Sequence, residues 1–351
     1  MNKYKSSLGD LSNPSKFHLP IVIDGQNDEI LFSHLRTMAI IRKAEQQLAL
    51  GRKEGMIGGP VHLSVGQEAI AVGVSSNLRK TDRIFGAHRS HSHLLALNPD
   101  IYRLFSEVLG KESGFSRGMG GSMHLWDQPN GFFGSSPIVA GTVALAVGAG
   151  FAAKLQKNGD VAVVYLGDGA AEEGIVHESL NFARIQDVPV LFVVENNLFA
   201  SHLHISLRQP SDRVSRFAEA NEIPFKCIDG NDVVEVTKIS KKMIANARDG
   251  NGPSLLEVVT YRWYGHVDWR DDIDVGVHRS LTEVESWRAR DPLRRLSTAM
   301  IQSGIWTEDQ NELLDRELDR QIKADWERAQ AAPYPEEKEI LECVYARTND
   351  E

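Results

Sequence analysis

Apolar residues recur with two different periods along this chain. Four short runs have the length and the valine, isoleucine and leucine content of buried strands. They are VAVVYLG (161–167), VPVLFVVENN (188–197), FKCIDGND (225–232) and PSLLEVVTYRW (253–263). Residues 172–187 and 233–250 show helical spacing and separate two pairs of these runs. Strands that alternate with helices predict a doubly wound, mostly parallel α/β sheet.

Helical patterns also flank this core. One runs from Asp28 to Gly51, where the glycine predicts its end, and a charged one with an apolar side spans residues 307–330. Residues 138–155 predict a buried helix, which could equally pack against a second subunit. The glycine-rich residues 113–137 predict a long irregular segment of the kind that is usually functional. We therefore predict one domain over residues 1–351. Its parts are an N-terminal arm and helix (1–55), an α/β core (56–295) and a C-terminal helical extension (296–351).

Composition and charge argue against several classes of protein. The 351 residues carry a net charge of −9 with no basic stripe, which argues against a nucleic-acid partner. The most apolar stretch, residues 138–153, is too short and too rich in glycine for a membrane span. The two cysteines, Cys227 and Cys343, lie far apart, and the polar N-terminus does not resemble a signal peptide. We expect a cytoplasmic protein without a disulfide framework.

Polar residues end two of the predicted strands. Asp168 stands between Gly167 and Gly169, and Asn197 ends the next strand 29 positions later. The intervening crossover should bring both to the carboxyl edge of the sheet, where open α/β sheets bind ligands. Carboxylate and amide oxygens suit Mg²⁺ or Ca²⁺, and a helix N-terminus after Asp168 would favour phosphate. The pair suggests a diphosphate held through a divalent cation, whereas GDG alone is more simply a βα turn.

The stretch from Gly167 to Asn197 resembles the thiamine diphosphate signature, in which GDG is followed one crossover later by NN. The rest of the chain, from residue 30 to about residue 295, resembles the α subunit of the decarboxylating first component of 2-oxo acid (pyruvate-type) and acetoin dehydrogenase complexes. The stretches that carry this resemblance, in family order, are VHLSVGQEAIAVG, HRSHSH, RGMGGSMH, SSPIVAG, YRWYGH and RARDP.

That resemblance implies the thiamine diphosphate-binding fold, of which this chain would form the diphosphate-binding module. The implied cofactors are thiamine diphosphate and Mg²⁺, and the implied metal ligands are Asp168, Asn197 and the carbonyl group of Phe199. The implied cofactor-binding residues are Arg89, Pro137, Ile138, Val139, Gly167, Asp168, Gly169, Ala170, Asn197, Arg262 and His266.

Histidines are the candidate catalytic residues. The family match implies active-site positions for His62, His91 and His266, and His266 lies in a segment that resembles a mobile loop over the cofactor. An imidazole there can protonate or stabilise a developing intermediate, which makes His266 the first catalytic candidate, and a histidine at the surface of a loop is the alternative. A zinc site formed by His88, His91 and His93 lacks a fourth ligand at suitable spacing, so we favour proton chemistry. The four aspartates Asp268, Asp271, Asp272 and Asp274 are typical of a solvated face and are assigned no role.

The resemblance also implies partners. The glutamate that activates thiamine comes from a β subunit in this family, so we expect an α₂β₂ heterotetramer, with Glu68 as a less favoured substitute. The implied reaction decarboxylates a 2-oxo acid and transfers the acyl group to a lipoyl acyltransferase partner. Three alternatives remain open: an acetoin dehydrogenase, a specialised thiamine enzyme without a lipoyl partner, and a non-catalytic scaffold. Residues 196–211, NNLFASHLHISLRQPS, depart from all of these relatives.

Overall fold

The computed structural model describes residues 6–267 and 269–339. Its centre is a six-stranded sheet in the order β2-β1-β3-β4-β8-β7, and every neighbouring pair is parallel. The predicted doubly wound α/β fold is therefore confirmed. The strands of this sheet are β1 (Arg83–Gly86), β2 (Phe132–Ser135), β3 (Ala162–Gly167), β4 (Val190–Asn196), β7 (Phe225–Asp229) and β8 (Ser254–Val259). Two small antiparallel hairpins are added by β5 (Phe199–Ala200) with β6 (Leu203–His204) and by β9 (Ile273–Asp274) with β10 (Val277–His278).

Helices cover both faces of the sheet. They are α1 (Asp28–Lys53), α2 (Glu68–Ser75), α3 (His91–Leu97), α4 (Ile101–Val108), α5 (Gly141–Gln156), α6 (Gly174–Ile185), α7 (Arg216–Ala220), α8 (Val233–Arg248), α9 (Leu281–Arg288), α10 (Pro292–Gln302) and α11 (Glu308–Ala331). None of the helices in the described part of the chain is long and apolar enough to cross a membrane.

Alternate residues of the buried strands supply two separate cores. Val163 and Tyr165 of β3 join the core beneath α1 to α4, α8, α10 and α11. Val164 and Leu166 of the same strand join the core beneath α5, α6, α7 and α9. Because successive side chains of a strand point to opposite faces, a strand covered on both faces reads as a continuous apolar run.

The first long helix does not end at Gly51 as predicted but continues to Lys53. A Cβ atom at Gly51 would lie 2.5 Å from the ring of Trp326 on α11. Gly51 therefore allows α1 and α11 to approach closely, and the glycine is a packing requirement instead of a stop signal.

Two further predictions about local structure were wrong. Residues 132–135 of the segment predicted to be irregular form the edge strand β2, which pairs with β1. The helix predicted to begin at Ile138 and to be buried begins at Gly141, and Leu145 and Leu155 are 61% and 67% exposed. Both errors have one cause: strand pairing and the burial of a helix depend on distant segments of the chain, and local sequence does not reveal which segments those are.

The strand order creates a crevice at the carboxyl edge of the sheet. From β1 the chain continues to β2, which lies on the side of β1 away from β3. From β3 it continues to β4, which lies on the side of β3 away from β1. Adjacent strands whose connections diverge leave a gap between the loops that follow them. The loops after β1 and β3 therefore border this gap.

Candidate active site

A cavity of about 460 Å³ lies in that crevice. The carboxyl ends of β1, β3 and β4 and the chain that follows them form most of its wall, and they contribute residues 87–89, 167–170, 197 and 199–201. The candidate site residues that line it are His62, Arg89, Pro137, Val139, Gly167, Asp168, Gly169, Ala170, Asn197, Phe199 and His266. Three candidates, namely Ile138, His91 and Arg262, do not line it.

Asp168 and Asn197 both line this cavity, and their side-chain oxygens are possible metal ligands. Asp168 is 1% exposed, and its Oδ1 has no hydrogen-bond partner among the described residues, whereas its Oδ2 accepts from Arg208. Asn197 donates from Nδ2 to Gln67 Oε1 at 3.2 Å, and its Oδ1 accepts from the Phe199 amide at 3.2 Å. Burial raises the pKa of Asp168, while the positive charge of Arg208 opposes that rise. A buried carboxylate oxygen without a partner is costly, and a divalent cation would remove that cost.

Gln67 adds an unpaired donor to the same wall. Its side chain is 1% exposed, and Nε2 has no hydrogen-bond partner among residues 6–267 and 269–339. Two residues that line the cavity, Asp168 and Gln67, therefore each carry a buried polar atom without a partner among the described residues. Sequence reasoning missed Gln67, although it lies in the quoted GQEA stretch. The donor set fits a ligand that combines a cation with oxyanion groups.

The glycines of the GDG turn have different structural roles. A Cβ at Gly169 would lie 2.6 Å from the Cβ of Ala200, so this position must be glycine if the β5–β6 hairpin is to pack on the turn. A Cβ at Gly167 would meet nothing within 4 Å. The expected helix N-terminus does not follow Asp168 directly, because a 3₁₀ turn, Ala170–Glu172, precedes α6.

Three histidine rings meet at one side of the cavity. The ring centroids of His62, His88 and His266 lie 4.6 to 5.1 Å apart. Burial, together with the charge of Arg89, lowers the pKa of His88 to about 3 and that of His266 to about 2, and it lowers the pKa of His62 still further. All three imidazoles are therefore neutral near pH 7. His88 was not a predicted site residue.

The histidine set considered for zinc does not converge. His91 is fully buried behind the cavity, where its Nε2 lies 2.9 Å from Ser122 Oγ and its Nδ1 lies 3.3 Å from Glu45 Oε1 without hydrogen-bond geometry. His93 stacks on Tyr165 and contacts Glu195 at 3.2 Å. His91 therefore does not line this cavity, and its active-site role stays a prediction.

The cavity imidazoles are also a poor site for a dication. Their ligand atoms lie within 4.8 Å of one another. The positive charge of Arg89 nevertheless acts on all three rings, and that of Arg262 acts on His88 and His266. Burial is the main cause of the lowered pKa values, and the repulsion by these arginines, which lowers them further, would also oppose a metal ion among the rings. Neutral donors next to arginines instead suit an anionic or strongly polar group.

The two candidate arginines have different surroundings. Arg89 lines the cavity, donates from Nη1 to the Leu63 carbonyl at 2.5 Å and lies 3.4 Å from His266 Nδ1. Burial and the charge of Arg262 lower the pKa of Arg89 to about 9, so it stays protonated at pH 7. Arg262 is 1% exposed and does not reach the cavity, because it donates to Asp274 and to the carbonyls of Ser201 and Tyr264.

Asp274 is a residue whose importance the sequence concealed. It is 2% exposed, and its carboxylate accepts from Arg262 and from the His266 amide, the latter at 2.6 Å. The expectation of a solvated face was wrong for Asp274, while Asp268 lies outside the described residues. Asp274 thereby fixes the segment that carries His266, and no local pattern distinguishes it from its acidic neighbours.

Glu68 is held away from the cavity. It is fully buried, and its two oxygens pair with Arg42, with Nη2 and Oε2 separated by 3.0 Å. The Gly66 amide donates to the same carboxylate. This carboxylate is committed to the packing of α1 on α2 and is not free to act on a ligand.

Comparison with known proteins agrees with this geometry. The family model for the dehydrogenase E1 component matches residues 36–338. The chain is 36% identical over 318 residues to the α subunit of acetoin:2,6-dichlorophenolindophenol oxidoreductase of Cupriavidus necator, covering 90% of this chain and 94% of that protein. It is 35% identical over 307 residues to the pyruvate dehydrogenase E1 component subunit α of Rhizobium meliloti, covering 87% of each. The chain belongs to the dehydrogenase E1 component family.

Membership settles the general class of this E1 component. It is an α-type subunit of an oxidoreductase, and the family implies dependence on thiamine diphosphate and a β subunit as partner. A further relative, the α subunit of acetoin:2,6-dichlorophenolindophenol oxidoreductase of Bacillus subtilis, is 34% identical over 297 residues. These relatives include acetoin and pyruvate enzymes at almost equal identity, so identity does not separate the two substrates.

Proposed function

We propose that this E1 α chain binds Mg²⁺ and thiamine diphosphate in the cavity at the carboxyl edge of the sheet. Asp168 Oδ1, Asn197 Oδ1 and the Phe199 carbonyl would hold Mg²⁺, and Arg89 and Gln67 would meet the diphosphate. The unpaired, buried Oδ1 of Asp168 is the observation that carries this proposal. A cavity of about 460 Å³ is within the range of small-molecule sites.

Thiamine diphosphate, when bound, supplies an electron sink for cleaving the bond beside a carbonyl carbon. The neutral imidazoles of His62, His88 and His266 would surround the substrate as hydrogen-bond donors or acceptors. Each can hold or release one proton at a ring nitrogen. Arg89 would stabilise negative charge from within the same wall. Pro137 and Val139 would supply apolar contacts to the aminopyrimidine ring, whereas Ile138 is 69% exposed and would contact a partner.

The chemistry we propose is decarboxylation of a pyruvate-like 2-oxo acid, followed by acyl transfer to a lipoyl group on an acyltransferase partner. The cavity contains both the positive charge and the neutral donors that a carboxylate substrate would need. The pyruvate dehydrogenase relative supports this choice of substrate. A cytoplasmic location is part of the same proposal.

The β subunit would complete the site. The carboxylate of Glu68 is tied to Arg42 and that of Glu195 contacts His93, so neither is free to activate thiamine. Apolar residues at the cavity mouth and along α5 and α6 are exposed, and a partner would bury them in an α₂β₂ assembly. They are Ile138, Val139, Leu145, Leu155, Phe182 and Ile185.

The test is calorimetric titration of Mg²⁺ and thiamine diphosphate into the chain assembled with its β subunit. Wild type should bind, and Asp168→Ala should lose binding because the metal loses its charged ligand. Asp160→Ala, at a half-buried position before β3 that does not line the cavity, is the matched control and should bind as wild type. Failure of the assembled wild type to bind would refute the proposal.

Acetoin cleavage is the second candidate function, since two of the similar proteins are acetoin enzymes. It needs the same site but no loss of carbon dioxide. Turnover of acetoin and of pyruvate, measured in parallel with an artificial electron acceptor, separates the two. Acetoin turnover without pyruvate turnover would replace the 2-oxo acid in this proposal.

A further inference from the structure

The segment of residues 196–211 folds back onto the candidate metal ligands. After Asn197, the β5–β6 hairpin and a 3₁₀ turn, Ile205–Leu207, lead the chain to Arg208. The Arg208 side chain is 7% exposed. The segment that begins with one candidate ligand therefore ends in contact with the other, because Arg208 reaches Asp168.

Three contacts fix the guanidinium group of Arg208. Nη2 donates to Asp168 Oδ2, Nη1 donates to Glu172 Oε1, and Nε donates to the Leu203 carbonyl at 3.1 Å. The two carboxylates neutralise the added positive charge, and the backbone contact orients the planar fork. Three hydrogen bonds therefore fix the position of this guanidinium group.

The contact leaves one carboxylate oxygen for a ligand. Arg208 occupies Oδ2 of Asp168, while Oδ1 is buried and has no partner among the described residues. Mg²⁺ in phosphate sites is held by one or two carboxylates in strict geometry. A carboxylate fixed through one oxygen presents the other in a single direction, and such outer contacts orient metal ligands.

We propose that Arg208 is a positioning residue for metal binding, which holds Asp168 so that Oδ1 faces the cation. This inference rests on the proposed function, since it assigns a role toward the same Mg²⁺. Glu172 holds the other half of the guanidinium group, so the clamp consists of Asp168, Arg208 and Glu172. Residues 196–211 thus supply the arginine that supports the metal ligand.

The test compares metal affinity in Arg208→Gln and wild type, each assembled with the β subunit. Mn²⁺ is titrated in the presence of thiamine diphosphate, and free Mn²⁺ is read by electron paramagnetic resonance, so no turnover is needed. We expect Arg208→Gln to bind Mn²⁺ about 10- to 100-fold more weakly, as for other residues that orient metal ligands. Arg208→Lys keeps the charge but not the fork, and it should bind with intermediate affinity.

Arg213→Gln is the matched control, because Arg213 lies only a few residues after Arg208 and pairs with the exposed Glu219. Its Mn²⁺ affinity should equal that of wild type. Unfolding temperatures are measured for every variant, and if Arg208→Gln does not fold, Arg208→Lys decides. Weaker Mn²⁺ binding at an unchanged unfolding temperature supports the positioning role.

Unchanged or tighter binding in a folded Arg208 variant overturns this inference and leaves the proposed function intact. Tighter binding would mean that Arg208 competes with the cation for Asp168. Absence of binding by the assembled wild type overturns both the proposed function and the positioning role. The three outcomes are distinct in a single titration series.

Discussion

The buried pair of Asp274 and Arg262 gives the sharpest prediction about the His266 segment. Asp274→Asn keeps the shape of the side chain but removes its charge. The asparagine oxygen can accept from either Arg262 or the His266 amide, and its NH₂ group then faces the other donor. Both partners are almost completely buried, with exposures of 1% for Arg262 and 2% for Asp274. The variant therefore leaves the buried Arg262 cation without the negative charge of Asp274, and one of the two donors loses its acceptor.

The free-energy cost of Asp274→Asn follows from the loss of this buried charge pair. Removing one partner of a buried ion pair costs about 3–5 kcal/mol. The pair lies close to the cavity, where water can enter, so we take about 3 kcal/mol, near the lower limit of that range. Local opening of residues 262–279 should become easier by that amount. Because about 1.4 kcal/mol corresponds to a tenfold change in the equilibrium constant for opening, amide exchange in this segment should accelerate roughly a hundredfold.

Hydrogen exchange resolved by mass spectrometry measures this effect on the assembled protein. Asp271→Asn is the matched control, because Asp271 is 38% exposed at its side chain and pairs with Arg288 at the surface. Such exposed pairs contribute little, and exchange should change less than fivefold, equivalent to about 1 kcal/mol. Equal exchange rates in Asp274→Asn and wild type would refute the view that Asp274 fixes the His266 segment.

Three further predictions concern the site and the core. His266→Ala should retain Mg²⁺–thiamine diphosphate binding by calorimetry and lose turnover, and unchanged turnover would remove His266 from the reaction. Because the pKa values of the cavity histidines are lowered in the folded state, the unfolded state binds more protons below pH 6.5, and stability is lost as the pH falls. In urea unfolding, the free energy of unfolding should fall by about 1–2 kcal/mol per cavity histidine between pH 7 and pH 5, and His88→Gln should make this loss smaller. Gly51→Ala should cost about 1–3 kcal/mol by overpacking against Trp326. Gly148→Ala, where a Cβ meets nothing within 4 Å, should be neutral or stabilising in the isolated chain.

The outcomes of these measurements are independent. A flat stability profile between pH 7 and pH 5 would contradict the neutral state of the cavity imidazoles in the folded protein. Equal unfolding temperatures for Gly51→Ala and Gly148→Ala would contradict the close approach of α1 and α11. Neither result would bear on the metal site at Asp168.

The sequence alone determined the parallel α/β fold and the meeting of Asp168 with Asn197. Both depend on local properties: buried strands are continuous apolar runs, and one crossover of fixed length returns the chain to the same edge. The GDG and NN motifs were therefore readable, because the backbone between them leaves little freedom. The candidates His62 and His266 line the same cavity as these motifs, but their catalytic roles remain predictions.

Only the tertiary structure decided which polar residues support the site. Asp274 and Arg208 looked like ordinary charged loop residues until Asp274 met Arg262 and Arg208 met Asp168, 40 positions away in sequence. His91 matched an active-site motif, yet it does not line the cavity, and its Nε2 lies 2.9 Å from Ser122 Oγ. Ion pairs and burial depend on which distant segments meet in space, and no periodicity along the chain encodes that choice. The sequence thus determined where the site lies, and the packing of distant segments determined which side chains face it.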